Sequence, residues 1–302
     1  MDARRTQYPD GRWHFQHGPI DIVIGASGNA LAIEEAHEKA WFRFRGILGE
    51  LVQELPNLRR PVQGPCLLRG AIARRMWQAC QPYKKTFITP MAAVAGSVAQ
   101  EVIACYAAAG VTRAWANNGG DIALHLAASQ SVQIGLFANM AQLDHNEVRD
   151  GVRIDGQFQV SSLLPVRGVA TSGWRGRSFS LGIADSVTVL ARTASEADAA
   201  ATVIANAVDV DDVRVIRRPA SELKDDSDLG LVPVTVDVPW LEPALVQQAL
   251  QSGLRRAQTL RAAGLIWSAA LICQNQIVST DTATVAALEN RRSGQQAGSV
   301  FA

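Results

Sequence analysis

Asp198 and Thr202 lie four residues apart in ASEADAAATVIANAV, a stretch that reads as a helix. That spacing puts a carboxylate and a hydroxyl on one helix face, one turn apart. They could share a hard cation such as Mg2+, with backbone carbonyl and ligand oxygens completing its shell. Without further context, a solvated Asp and a Thr bonded to the preceding turn explain the pair more simply. Ala170-Thr171-Ser172-Gly173, followed by Arg175-Gly176-Arg177-Ser178, offers backbone N–H groups, hydroxyls and guanidiniums in one loop. Such a loop suits a phosphate or carboxylate; a solvated loop with Arg for solubility is the alternative. Asn117-Asn118-Gly119-Gly120-Asp121 lies between two apolar runs. Asn and Gly accept positive φ, and bare glycine backbone admits a ligand closely, but a plain hairpin turn uses the same residues. Asp121 opens an apolar strand, and Asp185 sits amid apolar residues in GIADSV. An acid in such a place is either a turn former or a buried functional carboxylate, able to orient or deprotonate a nucleophile.

Other chemistries find no support. The histidines His14, His17, His37, His125 and His145 are scattered, and a structural role suits each; His125 stands four residues after Asp121. There is no Ser-His-Asp order, G-x-S-x-G elbow, Walker loop or G-x-G-x-x-G. Cys66, Cys80, Cys105 and Cys273 form no C-x-x-C pair and read as buried hydrophobes or free thiols, consistent with a reducing cytoplasm. The start, MDARRTQYPDGRW, has no apolar run of the kind that opens a secretory signal. Across 302 residues, 29 Lys+Arg against 28 Asp+Glu give a net charge of +1. That balance predicts no nucleic-acid partner and no hold on an acidic membrane. Arg167, Arg175 and Arg177 are expected to cluster opposite Asp121, Asp185 and Asp198.

The elements that must position these residues follow from apolar periodicity. Residues 12–24 read as two strands around Gly18-Pro19, and GASGN (25–29) as a loop. Residues 30–54 read as a helix ended by Pro56, and 67–81 as a second helix. Residues 90–109 read as one helix of small residues, with Pro90 in its first turn and Gly110 as its C-terminal cap. Strands are expected at 112–117, 121–126 and 131–138, with a polar loop at 141–151. Strand, glycine-rich loop and strand fill 166–192, before a helix over 194–208 capped by Ser195. An acidic loop at 219–230, a strand near 231–238, a helix near 242–263 and a strand pair near 265–280 complete the order. Strands in hairpin-like runs with helices between them predict α+β with mainly antiparallel sheets. Residues 1–280 read as a single compact unit and 281–302 as a polar, flexible tail.

These segments, in this order, resemble the ApbE-like superfamily, named for the bacterial FAD:protein FMN transferases. TRAWANNGGDI is similar to the family's N-x-G-G-D-I turn, VATSG (169–173) to its A-T-S-G loop, and ADAAAT (197–202) to its A-D-A-x-A-T helix. The resemblance implies an ApbE-like fold, Mg2+ held by Asp198 and Thr202, and a backbone carbonyl near Val94 completing the protein ligands. It also implies FAD or FMN as cofactor or substrate. The chain departs from the transferases in two places. Their H-I-x-D-P-x-T-G stretch is contracted here to Arg177-Ser-Phe-Ser-Leu-Gly-Ile-Ala-Asp185, and their lysine falls on Ala95. The whole chain is similar to a separate cytoplasmic branch, known mainly as a fold, and the contracted flavin-shaping stretch argues against protein flavinylation itself.

Three functions are compatible. In the first, the chain is an enzyme that binds a flavin nucleotide or other anionic small molecule and performs transfer or hydrolysis, aided by Mg2+. The Asn118-Gly119-Gly120 turn would approach the ligand, and Thr171, Ser172, Gly173, Arg177 and Ser178 would grip anionic oxygens. In the second, Ser178, Ser180 and Asp185 shape a smaller pocket for a hydrolase or ring-processing enzyme acting on a heterocyclic metabolite. In the third, the chain binds a flavin or metabolite without turnover. The small-residue helix could serve the core or an interface between copies, so a homo-oligomer stays open.

Overall fold

The computed structural model describes residues 2–136 and 156–281. The polar loop expected at 141–151 and the tail beyond Asp281 lie outside the described residues. One sheet dominates. Its nine strands run β1-β2-β3-β4-β5-β8-β9-β12-β13, every neighbour antiparallel. They are β1 (Arg4–Gln7), β2 (Trp13–His17), β3 (Ile20–Gly28), β4 (Val111–Asn118), β5 (Asp121–Leu126), β8 (Gly168–Ser172), β9 (Ser186–Ala191), β12 (Ser268–Cys273) and β13 (Gln276–Ser279). Two hairpins stand apart, β6 (Ser131–Leu136) with β7 (Gly156–Ser161) and β10 (Ile216–Pro219) with β11 (Pro233–Asp237). The helices are α1 (Ala30–Leu58), α2 (Ala71–Cys80), α3 (Val94–Ile103), α4 (Ala194–Ala207), α5 (Ala220–Leu223) and α6 (Pro243–Ala262). This is the α+β, antiparallel architecture the hairpin-like strand order predicts.

Side-chain alternation along the strands assigns the two faces of the sheet. On β4 and β5, Ala114, Ala116 and Ala123 join the helix-side core, while Trp115, Ile122 and Leu124 join a second core with Val132, Ile134 and Val160 from the β6–β7 hairpin. Small residues on the helix side let α3 and α4 lie close to the strands and to each other. A Cβ at Gly96 of α3 would collide with the Ala194 carbonyl oxygen of α4.

Local chemistry shifts several predicted boundaries. GASGN is mostly strand, because β3 stays paired with β4 through Gly28. Pro56 lies inside α1; the helix continues to Leu58, whose burial anchors a last turn that Pro56 alone would interrupt. Thr193, not Ser195, caps α4: it is extended at φ −136° and accepts from the Glu196 N–H, while the Ser195 hydroxyl donates to Gln100 Oε1 at 2.8 Å. The acidic stretch at 219–230 holds the single helical turn α5. The helix expected over 90–109 is in three pieces, a 3-10 turn Pro90–Ala93, then α3, then a 3-10 turn Ala104–Tyr106. The break falls at Ala93, with φ −131° and ψ 19°. Gly110, at φ +91°, stands past the helical turns and leads into β4. The Ala93 break gives α3 an N-terminus of its own, with first-turn N–H groups that no residue of α3 can accept.

Candidate functional site

Those N–H groups meet a carboxylate from another helix. Gly96 N–H donates to Asp198 Oδ2 at 2.9 Å, and Ala95 N–H bonds the same carboxylate. Asp198 is placed there by the first turns of α4, and the positive end of α3 favours its charge. On the strand side, Asn118 and Asp121 face each other across the two-residue turn Gly119-Gly120. Both glycines have positive φ, +67° and +108°, as a primed hairpin turn requires. Gly120 N–H donates to Asn117 Oδ1 at 2.8 Å. The buried Asn118 amide donates to the Ala95 carbonyl at 3.1 Å, tying the turn to the same α3 N-terminus. Asp121 is 8% exposed, and its Oδ1 accepts the Thr171 N–H at 3.3 Å.

The two carboxyls are electrostatically unsatisfied. Burial pushes Asp198 up to about 7, although the Gly96 and Ala95 amides oppose it. Burial, and then the neighbouring Asp198 charge, push Asp121 well above the usual carboxylate range; the Thr171 amide and the Arg177 guanidinium pull it back in part. Arg177 reaches in from the exposed loop and lies over the turn, where a Cβ at Gly119 would collide with its Nη2. Thr202 stands one turn beyond Asp198, partly buried, and its hydroxyl makes no hydrogen bond among the described residues.

The structure therefore gathers Asn118, Gly119, Gly120, Asp121, Arg177 and Asp198 around Ala95 and Gly96. Val94 is the first residue of α3, but the carbonyl that meets Asn118 is that of Ala95. Thr171 contributes its backbone N–H; its hydroxyl pairs with Thr188 at 2.9 Å across β8 and β9. Ser172 ends β8, and a Cβ at Gly173 would collide with the Asp185 carbonyl oxygen. Ser178 is exposed. Ser180 is buried away from the loop, between Asn206 and the Gly182 N–H. Both oxygens of Asp185 are engaged: Oδ1 by Arg175 at 3.0 Å and Trp174 Nε1 at 3.3 Å, Oδ2 by the Gln274 N–H at 2.6 Å. Arg167 does not join the other arginines; it bonds the carbonyls of Ser162, Leu164 and Val166. His125 sits at the far end of β5 against the Val111 carbonyl at 3.2 Å. Sequence reasoning missed Ala95 and Gly96, because a short helix start inside a run of small residues has no cap residue to announce it.

The donors suit a hard cation in kind: the Asp198 carboxylate, the Thr202 hydroxyl and the Ala95 carbonyl, all oxygen. A buried Asp121 and a partly buried Asp198 whose charge bears on it are an arrangement a cation would relieve. No group of three or more His, Cys, Asp or Glu among the described residues is arranged to hold a metal ion, so the Thr202 hydroxyl and the Ala95 carbonyl would have to complete the set.

The chain belongs to the family described as AbpE bacteria, whose model matches residues 5–279. It is 38% identical over 173 residues to a UPF0280 protein of Methanopyrus kandleri, covering 56% of this chain and 63% of that protein. It is 32% identical over 162 residues to a UPF0280 protein of Methanospirillum hungatei, covering 53% and 59%. A third, from Methanothermobacter thermautotrophicus, is 34% identical over 217 residues, covering 68% of this chain and 76% of that protein. The chain thus spans about six-tenths of the length of the first two relatives. Among solved structures, the apo flavinyl transferase ApbE of Pseudomonas stutzeri aligns over 95% of this chain and 96% of its own, with a TM-score of 0.42 and 14% identity. Among the described residues, no helix is long and apolar enough to cross a membrane.

Proposed function

We propose that this site binds a phosphorylated small molecule together with Mg2+, and that the protein transfers or hydrolyses a phosphate-linked group there. The observation that carries this reading is the buried Asp121 beside a partly buried Asp198 that is bonded to the N-terminus of α3, with Arg177 across Gly119. Asp198, Thr202 and the Ala95 carbonyl would hold the cation, which would neutralise phosphate oxygens and polarise the bond that breaks. Arg177 would grip a non-bridging oxygen from the solvent side. Asp121, its proton retained by burial, would give that proton to a leaving oxygen. Asp185, with both oxygens engaged, is not free to act as a base. The family resemblance makes flavin nucleotides the first phosphorylated compounds to try.

The test incubates the purified chain with FAD, FMN and other nucleotides, with and without Mg2+, and reads products by mass spectrometry. The expected result is Mg2+-dependent cleavage or transfer that Asp198→Asn and Asp121→Asn abolish. Mg2+ binding that is the same in wild type and Asp198→Asn would remove the metal assignment, and binding without turnover would leave a carrier or sensor.

A further inference from the structure

The geometry points to Gln274 and Asp185 as a positioning pair that sets where the Arg177 guanidinium stands, an inference that rests on the anion-binding reading above. Gln274 opens the two-residue turn between β12 and β13, where Cys273 pairs with Gln276, and its φ is +43°. Glycine and asparagine take that conformation readily; glutamine does so only when its surroundings hold it. Three bonds hold this one. Its N–H donates to Asp185 Oδ2 at 2.6 Å, its Nε2 donates to the Pro239 carbonyl at 2.6 Å, and its Oε1 accepts the Leu241 N–H at 2.9 Å. A hairpin turn by itself needs none of the side-chain bonds.

Asp185 passes the constraint to the loop. Its Oδ1 takes the Arg175 Nε at 3.0 Å and the Trp174 Nε1 at 3.3 Å, and the Arg175 guanidinium lies 4.8 Å from the centre of the Trp174 ring. Trp174 N–H donates to the Ala184 carbonyl at 3.0 Å, and Gly176 N–H to the Gly173 carbonyl at 3.1 Å. Residues 173–176 are therefore clamped to the start of β9, and the next residue is Arg177, lying over Gly119. Arg175, Gly176, Arg177 and Ser178 are all exposed, with no buried apolar residue among them to fix the chain. Without the clamp, holding one arginine rotamer over the turn would have to overcome the loop's backbone and side-chain entropy unaided.

The experiment uses the full chain with Gln274→Gly, which keeps the positive φ and removes the side chain, and Asp185→Asn, which keeps an oxygen and removes the charge. Each is made alone and combined with Arg177→Gln. Inorganic pyrophosphate affinity with Mg2+ present, Mg2+ affinity alone, and the rate at which phenylglyoxal modifies Arg177, followed by mass spectrometry, are measured. Either single change is expected to weaken pyrophosphate binding about tenfold, with Mg2+ affinity held within about twofold, and to cause no further loss when added to Arg177→Gln. Arg177 modification is expected to accelerate about fivefold as the loop loosens. Additive losses, or unchanged Arg177 reactivity, overturn the proposal; a role confined to closing the hairpin would lower the melting temperature and move neither readout. If the wild type binds no pyrophosphate, the proposed function fails, and Arg177 reactivity still decides the positioning.

Discussion

Asp185 and the Asp121–Asp198 pair are built for opposite ends. Asp185 is 13% exposed in its side chain and meets a guanidinium, an indole N–H and a backbone N–H. Asp121 and Asp198 accept from backbone amides, the Asp198 charge bears on Asp121, and the Arg177 guanidinium compensates Asp121 in part. The difference lies in partners, not in burial: a carboxylate with enough donors is a structural strut, and one without them stores free energy that a proton or a cation can release.

The comparison can be broken at either end. The largest effect is expected at Asp185. Asp185→Ala leaves Arg175, Trp174 and the Gln274 N–H without their acceptor, and should lower unfolding stability by about 3 kcal/mol in urea titration. The next is a gain. With Asp198 at about 7 in the folded chain and at an ordinary 3.8 when unfolded, the native state holds the extra proton between those values. The Asp198 contribution to wild-type stability in the absence of metal therefore falls as pH rises from about 4 to about 7 and is flat above. Asp198→Asn should match wild type near pH 4 and exceed it by on the order of 2 kcal/mol at pH 8, read from melting curves across pH. Mg2+ at about a hundred times its Kd should stabilise the wild type at pH 8 by about 2.7 kcal/mol and leave Asp198→Asn unmoved. The smallest effect is at the turn. Gly119→Ala should cost about 1 kcal/mol for the positive φ, and, by displacing Arg177, weaken pyrophosphate binding about fivefold in calorimetric titration.

Much of the fold was legible because period and punctuation carry it. Apolar and β-branched runs marked β4, β5 and β9, and Gly119-Gly120 marked the turn between β4 and β5. The helical spacing of Trp41, Phe44, Ile47 and Leu51 marked α1. Boundaries failed where a distant partner overrode a local signal: Gly28 stayed in β3 because β4 paired with it, and Leu58 held α1 beyond Pro56. The site was legible as residue types at spacings, Asp198 with Thr202 and Asp121 after two glycines. Which acids would be left short of donors was not, since Gln274 lies 89 residues from Asp185 and Gly96 lies 102 residues from Asp198.

By itself the sequence determined the element types, the antiparallel order, the primed turn and the one-turn spacing of Asp198 and Thr202, because all of these depend on neighbours a few residues away. Tertiary structure alone decided that α3 begins at Val94 with its amides on Asp198, that the Asp198 charge bears on Asp121, and that Asp185 is bound to Arg175 and Gln274. Proton affinity and hydrogen-bond satisfaction depend on what lies within a few ångströms in space, and in an antiparallel sheet those neighbours come from strands and helices far apart along the chain.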